Sequence, residues 1–138
     1  MKRKILIVED NVGLSQMQKD WLAQAGYDAV TAMNEPIARS LIRRTQFDLI
    51  LSDVRLPEGD GISLLEWLRK ERKDIPFILT TEYVSVSDVV RTIKLGARLM
   101  VHGKPITTVV RKHHVSNSDM ALVQRLHLWA LAKTRTSW

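Results

Sequence analysis

The chain has 138 residues, 45% of them hydrophobic and 26% charged, with a formal net charge of +6 and no cysteine. That length suits one domain with a single core, and the composition is that of a globular protein. The missing cysteines exclude a disulfide framework and a thiolate metal site, and fit a reducing, cytoplasmic setting. No apolar run approaches the ~20 residues of a membrane span. The basic start Met1-Lys2-Arg3-Lys4 is followed by only a short apolar run and then by acids, so it is not read as a signal peptide.

The positive charge is uneven. Up to Gly103 there are 15 Lys and Arg against 14 Asp and Glu; from Lys104 onward there are six against Asp119 alone. A basic tail can meet nucleic acid or an acidic partner. This one has no recognisable base-reading motif, so it reads as a solvated helix face, and direct DNA binding is not expected.

Lys4 to Val8 is an apolar run bounded by charge, the mark of a strand buried on both faces. Glu9-Asp10-Asn11 ends it, and Asn11 can cap a helix over Val12 to Ala25, with Leu14, Met17, Trp21 (or Leu22) and Ala25 at helical spacing and Gly26 as a stop. Tyr27 to Ala32 is a second strand. Asn34 caps a second helix with Pro36 in its first turn. Asp48 to Ser52 is a third strand that delivers Asp53 into a turn, Val54-Arg55-Leu56-Pro57-Glu58-Gly59-Asp60-Gly61. A third helix follows, with Ile62, Leu65 and Leu68 as its inner stripe. Pro76 to Thr81 is a fourth strand, and Asp88 to Leu95 a fourth helix with Ser87 as its candidate cap. Arg98 to His102 is a fifth strand, before Lys104-Pro105.

A fifth helix is expected to follow, despite the β-branched run Ile106 to Val110, because the sheet face needs a cover. A further helix is predicted over Met120 to Lys133, capped within Ser116 to Asp119. Its stripe of Met120, Val123, Leu126 and Trp129 must be buried on the domain, on a second copy or on something else. Strand and helix alternate throughout, which predicts an α/β fold with a parallel sheet between helix layers. The expected organisation is a domain over 1–115 and a C-terminal helical extension of unknown role over 116–138.

In a parallel sheet all strand C-termini share one edge, where open α/β folds keep their chemistry. Here that edge would collect Glu9 and Asp10, Asp53, Thr80-Thr81 and Lys104. Three crowded carboxylates repel one another and need a cation, and an all-oxygen ligand set suits Mg²⁺ or Mn²⁺ rather than Zn²⁺. The backbone carbonyl of Arg55 is a candidate further ligand. Asp53 is placed to attack a phosphoryl group, Lys104 to hold a phosphoryl oxygen, and Thr81 to hydrogen-bond another. Singly, each residue has a plainer reading: a first-turn acid, a turn cap, a strand-end hydroxyl, a solvated lysine.

As a set, Ile5 to Asn11, Asp48 to Gly61, Pro76 to Thr81, Gly96-Ala97 and Lys104-Pro105 resemble the CheY-like receiver domain of bacterial two-component response regulators. The resemblance covers about residues 3 to 115. Leu56-Pro57, Thr81-Glu82-Tyr83 and Lys94-Leu95-Gly96-Ala97 look most like the NtrC-like class. It implies a doubly wound, flavodoxin-like five-stranded parallel sheet of order 2-1-3-4-5. It implies Asp53 as phosphoacceptor, with Glu9, Asp10, Asp53 and the Arg55 carbonyl for Mg²⁺, Thr81 as switch hydroxyl and Lys104 as phosphate-binding lysine. It further implies a sensor histidine kinase or phosphotransfer protein as donor, and an output face of helix four, strand five and helix five. That face, or the C-terminal helix, would serve a homodimer. The chain would at most catalyse its own phosphorylation and dephosphorylation. A cis peptide often precedes the family's proline, here Pro105.

Two departures stand out. Glu82 follows Thr81 where the family has a small residue. Gly103 is one residue more than the family has before its lysine, so Lys104 reaches the phosphate only through a bulge in strand five. The aromatic switch position falls on Met100 or Val101. The alternative function is a pseudo-receiver, an interaction module that is not phosphorylated.

Overall fold

A computed structural model describes residues 2–71, 73–106 and 115–135. The elements in order are β1 (Lys4–Val8), α1 (Val12–Gln24), β2 (Asp28–Ala32), α2 (Glu35–Arg44), β3 (Leu49–Asp53), α3 (Gly61–Lys70), β4 (Phe77–Thr81), α4 (Val86–Lys94), β5 (Arg98–Val101), β6 (Lys104–Pro105) and α5 (Asn117–Arg135). They form one sheet of order β2-β1-β3-β4-β5-β6. The first five strands pair in parallel, as the alternating pattern predicts. The sixth is new: β6 pairs antiparallel with β5, Met100 opposite Pro105 and Val101 opposite Lys104.

The hairpin follows from its two turn residues. His102 and Gly103 both have positive φ, 52° and 74°. That is the backbone of a two-residue I′-type turn, the kind whose twist matches its flanking strands. The extra residue is therefore absorbed by a chain reversal and not by a bulge within β5. No described peptide bond is cis.

Strand periodicity splits the core in two. Leu6, Val8, Ile50, Leu79 and Leu99 face Ile42, Ile62, Leu65 and Leu68 on one side of the sheet. Ile5, Ile7, Leu49, Leu51, Ile78 and Met100 face Leu22, Met120, Leu122, Val123 and Leu126 on the other. The stripe of α5 is thus buried on the domain itself, with Trp129 packed beside it. The expected fifth helix after Ile106 falls almost wholly on 107–114, outside the described residues; α5 covers the sheet on that side. Arg3 ties α5 down through two contacts to Asp119, at 2.6 and 3.2 Å.

Local capping matches the sequence at two helices, where the Asn11 and Asn34 side chains accept from the Leu14 and Ile37 backbone N–H groups. At α3 the cap is Asp60, whose side chain accepts from Ser63 N. At α4 the cap is Ser85, not Ser87, so the helix starts at Val86. Both serines are spaced to serve, and the helix takes the earlier one because Ser85 reaches Asp88 N at 3.1 Å. On α1 the buried positions are Ser15 and Leu22, with Leu14, Met17 and Trp21 half-buried and Ala25 exposed. Of the two residues offered at that point of the stripe, Leu22 is the buried one and Trp21 is half-buried, while Ser15 takes an inner place beside Leu14.

Candidate functional site

The site lies at the C-terminal edge of the sheet. The strand register fixes which side chains meet there. Val8 pairs with Ser52 and Asp53 with Thr80, so Glu9, Asp10 and Asp53 emerge from adjacent strands at one height. Their carboxylate oxygens all lie within 4.8 Å of one another. Asp53 Oδ1 accepts from Arg55 N at 3.2 Å, and Glu9 Oε2 from Asn11 N at 3.5 Å.

The turn after β3 is held firmly. Gly61 N donates to Val54 O at 2.8 Å, and Ser52 Oγ donates to the Asp53 carbonyl at 2.8 Å. Buried Glu35, the first residue of α2, accepts from Asp60 N and from Arg39. A Cβ on Gly61 would lie 2.3 Å from the Asp53 carbonyl oxygen, so only glycine lets the chain pass here.

Crowding marks the electrostatics. Burial first, and then the Asp53 charge, push the Glu9 carboxyl up to about 7 from 4.5. Burial, with the Asp10 charge, also raises Asp53 above its ordinary 3.8, against the pull of the Arg55 N–H. The three carboxylates offer an oxygen-only donor set, and that set fits Mg²⁺ or Mn²⁺.

Beside the acids opens a cavity of about 380 Å³, bounded by the sheet edge, α1 and α5. Asp53, Glu9, Arg55 and Thr81 line it. Thr81 is buried, and its hydroxyl donates to Tyr83 O at 2.7 Å while accepting from Tyr83 N at 3.2 Å. It is thus engaged with its own loop, within the same cavity as Asp53. Lys104 is placed elsewhere: it is exposed, on β6, one hairpin turn away. The extra residue moves it there, because reversal at His102-Gly103 carries the chain back along β5. The switch position opposite Thr81 is Val101; Met100 is buried on the α5 side of the sheet.

Three lining residues escaped the sequence reading: Gln18 of α1, Tyr83, and His127 of α5. His127 was signalled by its spacing, one helical turn beyond Val123 of the buried stripe. Tyr83 stacks edge-on against His102, and Glu82 pairs with His102 Nδ1 at 2.5 Å. The loop after β4 is thereby joined to the β5–β6 turn.

A doubly wound, mainly parallel sheet with three acids on two neighbouring strand ends sets this chain among α/β proteins that carry a candidate cation site at the sheet edge. The response regulator receiver domain family matches residues 5–113, and the chain belongs to that family. It is 32% identical over 96 residues to the response regulator PilR of Pseudomonas aeruginosa, a match covering 70% of this chain and 22% of PilR. It is also 32% identical over 109 residues to the polar-differentiation response regulator DivK of Brucella anthropi, covering 78% of this chain and 88% of DivK. Among solved structures, the non-phosphorylated HemR receiver domain of Leptospira biflexa superposes with a TM-score of 0.69 at 30% identity, covering 91% of this chain and 94% of that one. PilR and FleR together give loose support to the NtrC-like likeness. The chain spans 22% of PilR and 40% of the ycf27 regulator of Porphyridium aerugineum, well under half of each.

Proposed function

We propose that Asp53 is the residue that takes the phosphoryl group, from a phosphohistidine on a sensor kinase or a phosphotransfer protein. The observation that carries this is the clustering of Glu9, Asp10 and Asp53 within 4.8 Å at the mouth of a cavity large enough for a phosphoryl group. In the transfer, a carboxylate oxygen of Asp53 attacks phosphorus. The P–O bond forms as the donor's P–N bond breaks, and the donor imidazole leaves with the bonding pair and takes up a proton. The product is an aspartyl phosphate, a mixed anhydride that water can hydrolyse.

Glu9, Asp10 and Asp53 would hold the divalent cation, with the Arg55 carbonyl a further oxygen donor. The bound cation supplies charge neutralisation for the acids and for the incoming phosphoryl oxygens. Asp53 is steered by its own short turn, with Arg55 N on Oδ1 and Gly61 behind its carbonyl. Thr81, in the same cavity, is positioned to exchange its Tyr83 contact for a phosphoryl oxygen, which would pull on the loop carrying Glu82 and Tyr83.

The setting that suits this chemistry is the cytoplasm, and no described helix is long and apolar enough to cross a membrane. Exposed Val86 and Val90 on α4 are the place to look for a partner or a second copy. Residues 116–135 are read as part of the same structural unit, since α5 completes its core.

The test is direct. Incubated with Mg²⁺ and acetyl phosphate, the wild-type chain gains the mass of one phosphoryl group, and Asp53→Asn does not. Uptake by Asp53→Asn at the wild-type level would place the acceptor elsewhere. No uptake by either would favour the pseudo-receiver.

A further inference from the structure

A phosphoryl group on Asp53 has acids on one side and needs nitrogen donors on the other, since each charge-assisted hydrogen bond to it stabilises both the transfer state and the product. The family's lysine does not stand there in this chain. Lys104 is exposed on β6 and does not line the cavity beside Asp53, whereas His127 does.

The seat of His127 is specific. Its ring lies against the bare backbone of Gly103: a Cβ at that position would meet His127 Cδ2 at 2.1 Å and Nε2 at 2.4 Å. Gly103 also has φ +74°, a backbone that side-chain-bearing residues rarely adopt. The one residue that carries Lys104 out onto β6 is thus the residue that makes room for an imidazole. The helix bearing that imidazole is fixed in place by Val123 and Leu126, whose side chains line the same cavity and are buried in the core. Gln18, across the cavity on α1, has a buried amide oxygen with no partner among the described residues, so this wall has polar capacity not used by the protein itself. An imidazole presents an N–H in either charge state, so it can donate to a phosphoryl oxygen throughout the neutral range.

We propose that His127 takes the position of the phosphate-binding lysine, so that the C-terminal helix supplies a catalytic residue to the phosphorylation site. This rests on Asp53 being the phosphoacceptor. Gly103 and His127 then form a matched pair that replaces a single lysine on the fifth strand.

The experiment compares initial rates of phosphorylation by acetyl phosphate and Mg²⁺ in the full chain, read by intact mass. His127→Leu fills the same space without an N–H and is expected to be slower by about ten-fold or more, the worth of one hydrogen bond to a charged group. His127→Gln keeps an N–H and is expected to recover much of the rate. Gly103→Ala, which displaces the ring, should fall with His127→Leu. Lys104→Ala should stay within about two-fold of wild type, as an exposed charge does. Matching thermal unfolding transitions for His127→Leu and His127→Gln separate chemistry from folding. A rate lost in Lys104→Ala and kept in His127→Leu overturns the assignment and leaves Asp53 as acceptor. A wild-type chain that takes up no phosphoryl group overturns the acceptor reading, and this one with it.

Discussion

At the scale of single residues, the acids are held in a state of mutual repulsion that should be visible without any phosphodonor. Glu9 is raised to about 7 from 4.5 by burial and by Asp53. The folded chain therefore holds a proton that the unfolded chain releases between those values. Stability without metal must then fall as pH rises from about 4.5 through about 7, because the unfolded state binds fewer protons over that range. Asp53, raised as well, adds to the slope at its acid end. A divalent cation favours the ionised acids, so its stabilisation should grow with pH. Thermal unfolding near pH 5 and near pH 8, with and without Mg²⁺, measures both. A Mg²⁺-induced rise in melting temperature that is equal at the two pH values would remove the cluster as the cation's site. These acids were legible in the sequence because each closes an apolar run, and strand ends of a parallel sheet meet by construction. The place of Lys104 was not, because it depends on a turn; for His127 the spacing gave only the helix face, and helix docking, which no strand-end rule contains, sets the rest.

At the scale of elements, two short features can each be tested by one methyl group or one hydroxyl. The turn from β3 into α3 runs so close beneath Asp53 that an added Cβ at Gly61 would also lie 2.7 Å from Leu79 Cδ2 and 2.9 Å from Ser52 Oγ. Backbone and buried core cannot both give way. Gly61→Ala should cost about 1–3 kcal/mol in urea unfolding, the range for overpacking a tight interior, and should slow phosphorylation by shifting the Asp53 backbone. At the start of α4, Ser85→Ala should cost ~1 kcal/mol and Ser87→Ala a few tenths, as expected when only one is the cap. The reverse order would place the helix start two residues later. The sequence pointed to Ser87, two residues past the cap the fold uses. Ser85 and Ser87 even share a contact, Oγ to Oγ at 3.0 Å, so composition alone cannot choose. The hairpin of β5 and β6 was hidden for a related reason: a lone Gly103 beside His102 reads as a strand irregularity until the partner strand is known.

At the scale of the whole molecule, the decisive matter is what α5 is for. Its stripe was plain in the sequence, but three different surfaces could have covered it, and periodicity does not name a partner. In the fold it closes the second half of the core, where Leu122 and Leu126 are each 1% exposed. It also answers the position of Arg3 at the start of the sheet, where the guanidinium grips Asp119, a carboxylate itself only 3% exposed. The domain is thus clasped from its two ends of sequence, and α5 is an integral layer that also walls the cavity beside Asp53. Removal of α5 should therefore do more than trim a tail. Without residues 117 onward, Ile5, Ile7, Leu49 and Ile78 would lose the α5 side chains in their cluster, and the cooperative unfolding transition should be lost. Milder changes grade the same claim. Leu126→Ala should cost about 2–5 kcal/mol, as buried leucines do. Arg3→Ala should cost about 2 kcal/mol, the worth of hydrogen bonds to a charged partner, and less in high salt because Arg3 is partly exposed. If α5 were an appendage docked on a self-sufficient domain, the truncated chain would instead unfold cooperatively near the wild-type midpoint, and Leu126→Ala would leave that midpoint where it was.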